Sequence, residues 1–575
     1  MKKVILSDRA YGVANKRYFV NGEDWEACSK RVATTISGIE KYDVKERVKN
    51  DFFEMINDMN FIPGGRVLRN SGMRSGSLFN CYHLPIDDSI EEIGKCMKDS
   101  LTLWSEGGGV GINFTSLRPK GDQILGKGGY SSGLVSFIEA HDAVAKVVEG
   151  GGGRRAAGIA HVHVDHPEVL DFIDAKLVHG KLQHFNISVA INGAFIDAVE
   201  ADRNWEFRFQ QRSYGKMSAR KIWNKIIENM VTSAEPGLIN WDKFTKNNSY
   251  YFSPVVGTNP CGETTLEGYG VCVLGSLVLP NFIATENTNW KKLETTIKTA
   301  VRFLDNVIDA NKYILKENDQ VAHNTRRIGL GIMGLADYLF AKKLRYGSEK
   351  AISETERLMK FIRDATYQSS IELAVEKGSF PKFEPLAFCK ASFIRKLPVA
   401  MKLDIKKYGI RNCTTMAIAP TGTISLVPEV TASGEPLFFK AYKTNDRLDE
   451  RIYIHPFYAK ILESGEDTPE WFVDSKDLNP SDHFEMQVAL QKYVDGSVSK
   501  TINLPKESTS EELSKLLIEY IYDLKGVTVY KDGSREGQPI VGLTEKEAKT
   551  HLKNKTADFK MDLSDVECAS GKCDL

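Results

Sequence analysis

At 575 residues, with Lys plus Arg and Asp plus Glu both at 76, the chain has no formal net charge, so its summed field gives no reason to expect a nucleic-acid or membrane partner. Nine cysteines are too sparse for a disulfide scaffold and point to a reducing, cytoplasmic setting. The opening Met1-Lys2-Lys3-Val4-Ile5-Leu6 is cut by Asp8 and Arg9 far short of signal-peptide or membrane-span length, so no targeting segment is expected.

In chain order, residues 20–60 have charge-rich, helix-like spacing that breaks at Phe61-Ile62-Pro63-Gly64-Gly65-Arg66. The run Ser77 to Pro85 reads as a strand carrying Cys81. Gly107 to Gly111, Arg118-Pro119 and then Gly150 to Gly153 with Arg154-Arg155 set backbone amides beside guanidinium groups, both good phosphate binders. Neither glycine run has Walker or dinucleotide-fingerprint spacing. His161-Val162-His163-Val164-Asp165-His166 spells the HxHxDH pattern of the metallo-β-lactamase-like hydrolases, which makes a zinc hydrolase the rival from another class. Later histidines such as His184 and His323 stand in no context that completes such a site, and a strand running into a helix explains the alternation, so no metal ligand is expected.

Further strands are predicted at Phe185 to Ile191, Val271 to Leu279, Thr415 to Ala419 and Gly526 to Tyr530, with helical stretches between them, which is an α/β alternation. Leu293, Ile297, Ala300, Val301, Leu304 and Ile308 share one helix face; Leu513, Leu516, Leu517, Tyr520, Ile521 and Leu524 share another, opened by a capping-box spacing from Thr509 to Glu512. Residues 544–575 are polar, lysine-rich and without strong periodicity, and read as a mobile tail.

Asn259-Pro260-Cys261-Gly262-Glu263 sets a thiol between an amide and a carboxylate on a tight loop that Pro260 and Gly262 favour. Glu263 can accept a proton and Asn259 can orient a hydroxyl; a turn with an incidental cysteine is the plainer alternative. Cys272 follows shortly after, and Cys568 and Cys573 stand near the end in a flexible glycine-containing segment suited to thiol exchange. Two cysteines without a second ligand pair make only half a tetrahedral zinc site. Cys28, Cys96, Cys389 and Cys413 read as small buried hydrophobes.

Taken in order, Phe79-Asn80-Cys81, Gly107 to Gly111 with Leu117-Arg118-Pro119, Gly152 to Arg155, Asp165-His166-Pro167, Asn259 to Glu263 and Pro420 to Ser425 resemble the large, catalytic chain of the ribonucleotide reductases, from about Phe61 to Arg535. The segment Lys525 to Arg535 resembles the adenosylcobalamin-dependent class II branch, because Tyr530 stands alone where class I chains carry an adjacent tyrosine pair. A class I chain needing a separate radical-generating subunit is the nearest alternative. The resemblance implies a ten-stranded α/β barrel of two antiparallel five-stranded halves with a central finger loop, spanning 61–543. A helical region, 1–60, precedes it and a tail with a cysteine pair, 544–575, follows.

It also implies roles. Cys261 becomes a thiyl radical, Glu263 takes the 3′-hydroxyl proton, Asn259 positions the sugar, and Cys81 with Cys272 supplies reducing equivalents and ends as a disulfide that Cys568 and Cys573 reduce. Substrate contacts carry over to Asn80, Cys81, Gly109, Asn259, Pro260, Cys261, Gly262, Glu263, Pro420, Thr421, Gly422, Thr423 and Ile424, and effector contacts to Asp88, Arg118 and Arg154. The implied cofactor is adenosylcobalamin, and the implied partners are a di- or triphosphate ribonucleotide, dNTP or ATP effectors, a thioredoxin- or glutaredoxin-like reductant and a second copy of the chain. Three departures stand out: Gly64-Gly65 replaces the family's frequent Ser/Thr after Phe-x-Pro, Arg155-Ala156-Ala157-Gly158 stands where Arg-Gly-Ala is usual, and the stretch before Phe61 is too short for an activity-regulating ATP cone.

Overall fold

The computed structural model describes residues 4–124, 126, 128–150, 154–178, 180–445, 450–534 and 540–553. Its centre is a ten-stranded mixed sheet built from β1 (Phe61–Pro63), β2 (Cys81–Leu84), β3 (Gly109–Asn113), β4 (Ala157–His163), β5 (Phe185–Ile191), β6 (Gly237–Asn240), β7 (Val271–Val278), β8 (Ile328–Met333), β9 (Thr501–Leu504) and β10 (Gly526–Lys531). Most of these strands are continuous apolar runs rather than alternating ones, as expected where helices cover a sheet. Every residue of β7 and β8 is buried.

β2, β3, β4, β5 and β6 run parallel in that order. β10 joins β6 antiparallel and pairs with β9 in parallel. At the other end β7 pairs antiparallel with β2 and β1 and parallel with β8. Beyond β8, Leu330 bridges Met416 and Ile418 bridges Val498, both in parallel.

The helix Trp290–Ala310 buries Leu293, Ile297, Ala300, Val301, Leu304 and Ile308, the face its spacing predicts. It packs on the helices Trp25–Ile36 and Tyr42–Asn57 of the N-terminal stretch. There the Phe52 and Phe303 rings meet edge to face at 5.0 Å, and Arg302 holds buried Glu40 at 2.7 Å. The helix Ser510–Tyr520 opens on the expected Thr509/Glu512 capping box, and its spacing runs on into a 3₁₀ turn over Ile521–Asp523.

Two local expectations change. Thr415 to Ala419 is not a continuous strand: only Met416 and Ile418 bridge, because the Asp495 carboxylate takes the amides of Thr415 and Met416, at 2.9 and 2.8 Å, that a neighbouring strand would otherwise hold. The tail reading also begins too early, since Glu545–Lys553 is a helix. Thr544 and Glu547 cap it reciprocally, and Ala548 is fully buried in its contact with the helix Pro456–Ser464. Cys568 and Cys573 lie outside the described residues. Among the described residues no helix is long and apolar enough to cross a membrane.

Candidate active site

The segment from Val256 to Leu266 leaves the sheet and folds back as a hairpin, Gly257–Thr258 pairing with Thr265–Leu266. It lies against β2 and β3. Asn113 Nδ2 donates to Val256 O at 3.0 Å, and the His83 ring nitrogen Nδ1 meets Thr258 O at 3.3 Å. Glycine makes this seat: a Cβ at Gly111 would stand 1.7 Å from Thr258 O, and one at Gly257 2.1 Å from the His83 ring. At the tip, Gly262 takes φ +78° and donates its amide to Asn259 O at 3.0 Å, closing the tight turn expected there. The outgoing arm is tied down where Ser497 N donates to Glu263 O at 2.7 Å.

This loop carries Cys261 to Cys81 and Cys272, and the three side chains form one buried cluster with Leu274 and Ala417. Cys81 and Cys272 come from neighbouring antiparallel strands and face each other directly in register. Directly opposed antiparallel residues have Cα atoms about 4.5–5.5 Å apart. That lies inside the roughly 4.4–6.8 Å span of a disulfide. Burial pushes the Cys272 thiol up to about 12, against an electrostatic pull the other way from Arg327.

Asn259 is fully buried and held on both sides: its Oδ1 accepts from Thr264 N at 3.0 Å and Thr258 Oγ1 at 3.3 Å, and its Nδ2 donates to Cys81 Sγ at 3.3 Å. Glu263 is fully buried too, and its Oε1 stands 3.9 Å from Cys81 Sγ. An amide, a carboxylate and three thiols thus converge in a space that excludes bulk water. Such a set can orient a hydroxyl, take its proton and exchange hydrogen atoms or electron pairs through sulfur.

Asn80 and Gly109 stand on the rim, where Gly109 N donates to Asn80 O at 2.8 Å and Asn80 Oδ1 accepts from Arg66 N at 3.2 Å. A Cβ on Gly64 would lie 3.0 Å from Leu274 O and 3.5 Å from Asn80 Nδ2, so the glycine leaves this corner open. Pro420 to Ile424 follows Ala417 and Ala419, which pack on the thiol cluster. In that loop Thr421 takes φ +54° and its Oγ1 accepts from Ser433 N at 2.7 Å, while buried Thr423 Oγ1 makes no hydrogen bond among the described residues. Asp88 and Arg118 are joined to each other, Arg118 Nε donating to Asp88 Oδ2 at 2.8 Å. Arg154 lies on a short hairpin with Gly150 opposite it.

Pro260, Cys261 and Gly262 also line a cavity. Ile159, Leu238, Val498 and Val527 give it apolar walls, and Asn186, Ser188, Thr528 and Lys525 add polar groups. Burial draws the Lys525 ammonium down to about 7, its Nζ donating to Asp495 O at 2.7 Å.

The HxHxDH residues do not converge. His161 packs between His83 and Trp241, His163 lies against Trp241, and a His166 ring nitrogen meets Leu117 O at 2.9 Å. Among the described residues no group of three or more His, Cys, Asp or Glu side chains can hold a metal ion.

Sequence reasoning passed over Arg327 and Thr264, which flank Cys272, and His83 and Thr258, which seat the loop. Arg327 sits in a charged pair before an apolar strand, Arg326-Arg327-Ile328, and that is its only signal in the sequence.

A family model described as "Ribonucleotide reductase, barrel domain" matches residues 79–530. A Vitamin B12-dependent ribonucleoside-diphosphate reductase of Mycobacterium tuberculosis is 37% identical over 525 residues, covering 85% of this chain and 71% of that protein. A protein of the same name from Thermoplasma acidophilum is 34% identical over 567 residues, covering 91% and 72%. A ribonucleoside-diphosphate reductase subunit alpha of Chlamydia muridarum is 27% identical over 467 residues, covering 70% and 45%.

Proposed function

The chain belongs to the ribonucleotide reductase family, and from that premise we propose that it reduces ribonucleoside diphosphates to 2′-deoxyribonucleotides by a thiyl-radical route that adenosylcobalamin initiates. The observation that carries this reading is the gathering of Cys81, Cys261 and Cys272 in one buried cluster with Asn259 and Glu263. The branch follows from identities of 34–37% to B12-dependent chains against 27% to the Chlamydia subunit alpha.

The cavity flooring on Cys261 suits the adenosyl end of the cofactor. Its apolar walls would take a planar base, and Asn186, Ser188 and Thr528 would meet polar edges and ribose hydroxyls. When bound, adenosylcobalamin supplies a carbon-centred radical that no side chain makes readily by itself. Cys261 gives up its thiol hydrogen atom and, as a thiyl radical, takes the ribose 3′-hydrogen. Glu263 accepts the 3′-hydroxyl proton while the Asn259 amide, locked by Thr258 and Thr264, orients the sugar hydroxyls. Cys81 and Cys272 supply two electrons and two protons, one proton leaving with the 2′-hydroxyl as water and the other ending with the electrons on C2′, and join as a disulfide, while Glu263 returns its proton to the 3′-oxygen. Cys261 then returns that hydrogen atom to the 3′ position and is left as the thiyl radical again.

In this reading the ten-stranded barrel takes β2 to β6 as its parallel half and β7, β8, the bridging segment at Met416 and Ile418, β9 with Val498, and β10 as the other, with β1 outside it. The Leu330–Met416 and Ile418–Val498 bridges support closure between β8 and β9. Asp88 and Arg118 serve a dNTP or ATP effector, Cys568 and Cys573 pass reducing equivalents from a thioredoxin- or glutaredoxin-like protein, and the working unit is a homodimer.

The test is an anaerobic assay with adenosylcobalamin, a small dithiol and a ribonucleoside diphosphate. Deoxyribonucleotide is expected from the chain alone. No product under these conditions, but turnover once a metal-radical subunit is added, would replace the reading with a class I one.

A further inference from the structure

Cys272 and Arg327 stand side by side. In the parallel β7–β8 ladder Val273 pairs with Ile328 and Leu274 with Gly329, so the preceding pair, Cys272 and Arg327, shares the same face of the sheet as Leu274 and Gly329. Gly329 makes room for the sulfur, since a Cβ there would lie 3.1 Å from Cys272 Sγ. Arg327 is held by Glu267 at 2.6 Å and Thr414 Oγ1 at 3.0 Å, and its buried Nε makes no hydrogen bond among the described residues. Glu267 balances the Arg327 charge, and the unused buried N–H is left to serve a negative charge that forms on the neighbouring sulfur.

At Cys81 the Glu263 carboxylate at 3.9 Å disfavours a thiolate, and the Asn259 amide, which donates to Sγ at 3.3 Å, favours one only as a neutral dipole and not as a full charge. At Cys272 burial opposes the thiolate, Arg327 is the largest charge acting on the thiol and favours it, and Glu263 and Cys413 oppose it more weakly. The two sulfurs of a Cys81–Cys272 disulfide are therefore unequal leaving groups.

We propose that Arg327 is a positioning residue that makes Cys272 the leaving thiol when the Cys81–Cys272 disulfide is re-reduced, so that the incoming dithiol attacks Cys81. This rests on the reading of those two cysteines as the redox pair. A thiolate of the reductant bonds to Cys81 Sγ, the Cys81–Cys272 bond breaks, and its electron pair leaves on Cys272 beside the guanidinium. The second thiolate of the reductant then displaces Cys81 from the mixed disulfide. The reductant ends as a disulfide, two electrons and two protons end on Cys81 and Cys272, and Arg327 stays charged throughout. Leaving-group stability governs which sulfur is attacked, which is the quantity Arg327 sets.

The test uses the full-length protein. It is pre-reduced, allowed one anaerobic turnover to form the disulfide, and exposed to a limiting small monothiol; acid quench, alkylation and peptide mass mapping then locate the adduct. The adduct is expected on Cys81 with Cys272 alkylated; an adduct mainly on Cys272 overturns the proposal in the unaltered protein, with no variant needed. In Arg327→Gln combined with Glu267→Gln, which strands no lone charge, the preference is expected to vanish and re-reduction by dithiol to slow by roughly tenfold, as for a leaving thiol that loses thiolate stabilisation. Single-turnover yield of the pre-reduced protein should be unchanged. Arg327→Lys keeps the charge and should keep the Cys81 preference; loss of preference in a folded Arg327→Lys, or its retention in the folded double variant, overturns the role of the charge. If one turnover leaves no Cys81–Cys272 disulfide at all, the redox-pair reading falls instead, and the two failures are told apart.

Discussion

Cys261 is distinguished by position rather than by kind: of the thiols among the described residues, it both packs with Cys81 and Cys272 and lines the cavity at Pro260 to Gly262. Cys261→Ser should abolish deoxyribonucleotide formation under any reductant, because a hydroxyl hydrogen is too strongly bound to replace the thiol's; measurable turnover would remove Cys261 from the radical step. Glu263→Gln keeps the shape and removes the base, and product formation should fall by about 10²–10⁴-fold, the usual contribution of a positioned proton acceptor. Titration gives a second residue-scale expectation. Burial lowers His83, His141 and His166 each from 6.5 to about 4. Above pH 6.5 these rings are neutral whether the chain is folded or not, so the folded state keeps its full advantage. As pH falls below 6.5 the unfolded chain binds protons first, and stability drops down to about 4, by at most about 3 kcal/mol per ring. Melting temperature measured from pH 7 to pH 5 should therefore decline, and His83→Gln should make the decline shallower. A flat profile would mean these rings are more hydrated than their burial implies.

Among the elements, the loop from Val256 to Leu266 depends on its neighbours' missing side chains more than on contacts of its own. Gly111→Ala would drive a methyl group into Thr258 O, 1.7 Å from the Cβ position. Overpacking of this kind costs about 1–3 kcal/mol. A displacement of about 1 Å at a catalytic loop can cost about 100-fold in rate. Far-UV circular dichroism should stay unchanged while activity falls to that extent. Gly94→Ala, in the helix Ile90–Ser105 with nothing near its Cβ position, should instead be neutral or raise stability by up to about 1 kcal/mol. Equal effects of the two substitutions would show that the loop is not seated through Gly111. The helices were legible because a repeating apolar face survives local variation, as from Leu293 to Ile308. The strand expected over Thr415 to Ala419 shrank to two bridges because β-propensity does not reveal whether neighbouring strands or side chains such as Asp495 will claim the amides.

For the whole molecule, the proposed redox cycle would join a buried pair to Cys568 and Cys573, far along the chain. Cys568→Ser with Cys573→Ser should permit about one turnover with a protein reductant, since neither buried thiol is directly accessible, while a small dithiol should restore cycling. Loss of activity with both reductants would show that the terminal cysteines do something other than shuttle. The sequence by itself determined the α/β alternation, the reactive pentapeptide, the terminal dithiol and an ordered set of motifs, because each rests on residue type and local spacing. Tertiary structure alone decided that Cys272 faces Cys81 across two antiparallel strands, that Gly111 and Gly257 hollow out the loop's seat, that His161 and His163 pack on Trp241 while His166 turns to Leu117, and that Arg327 adjoins Cys272. The reason is the same in each case. Register between strands distant in sequence is set by packing of the whole sheet, and a one-residue shift would turn every one of these side chains to the opposite face.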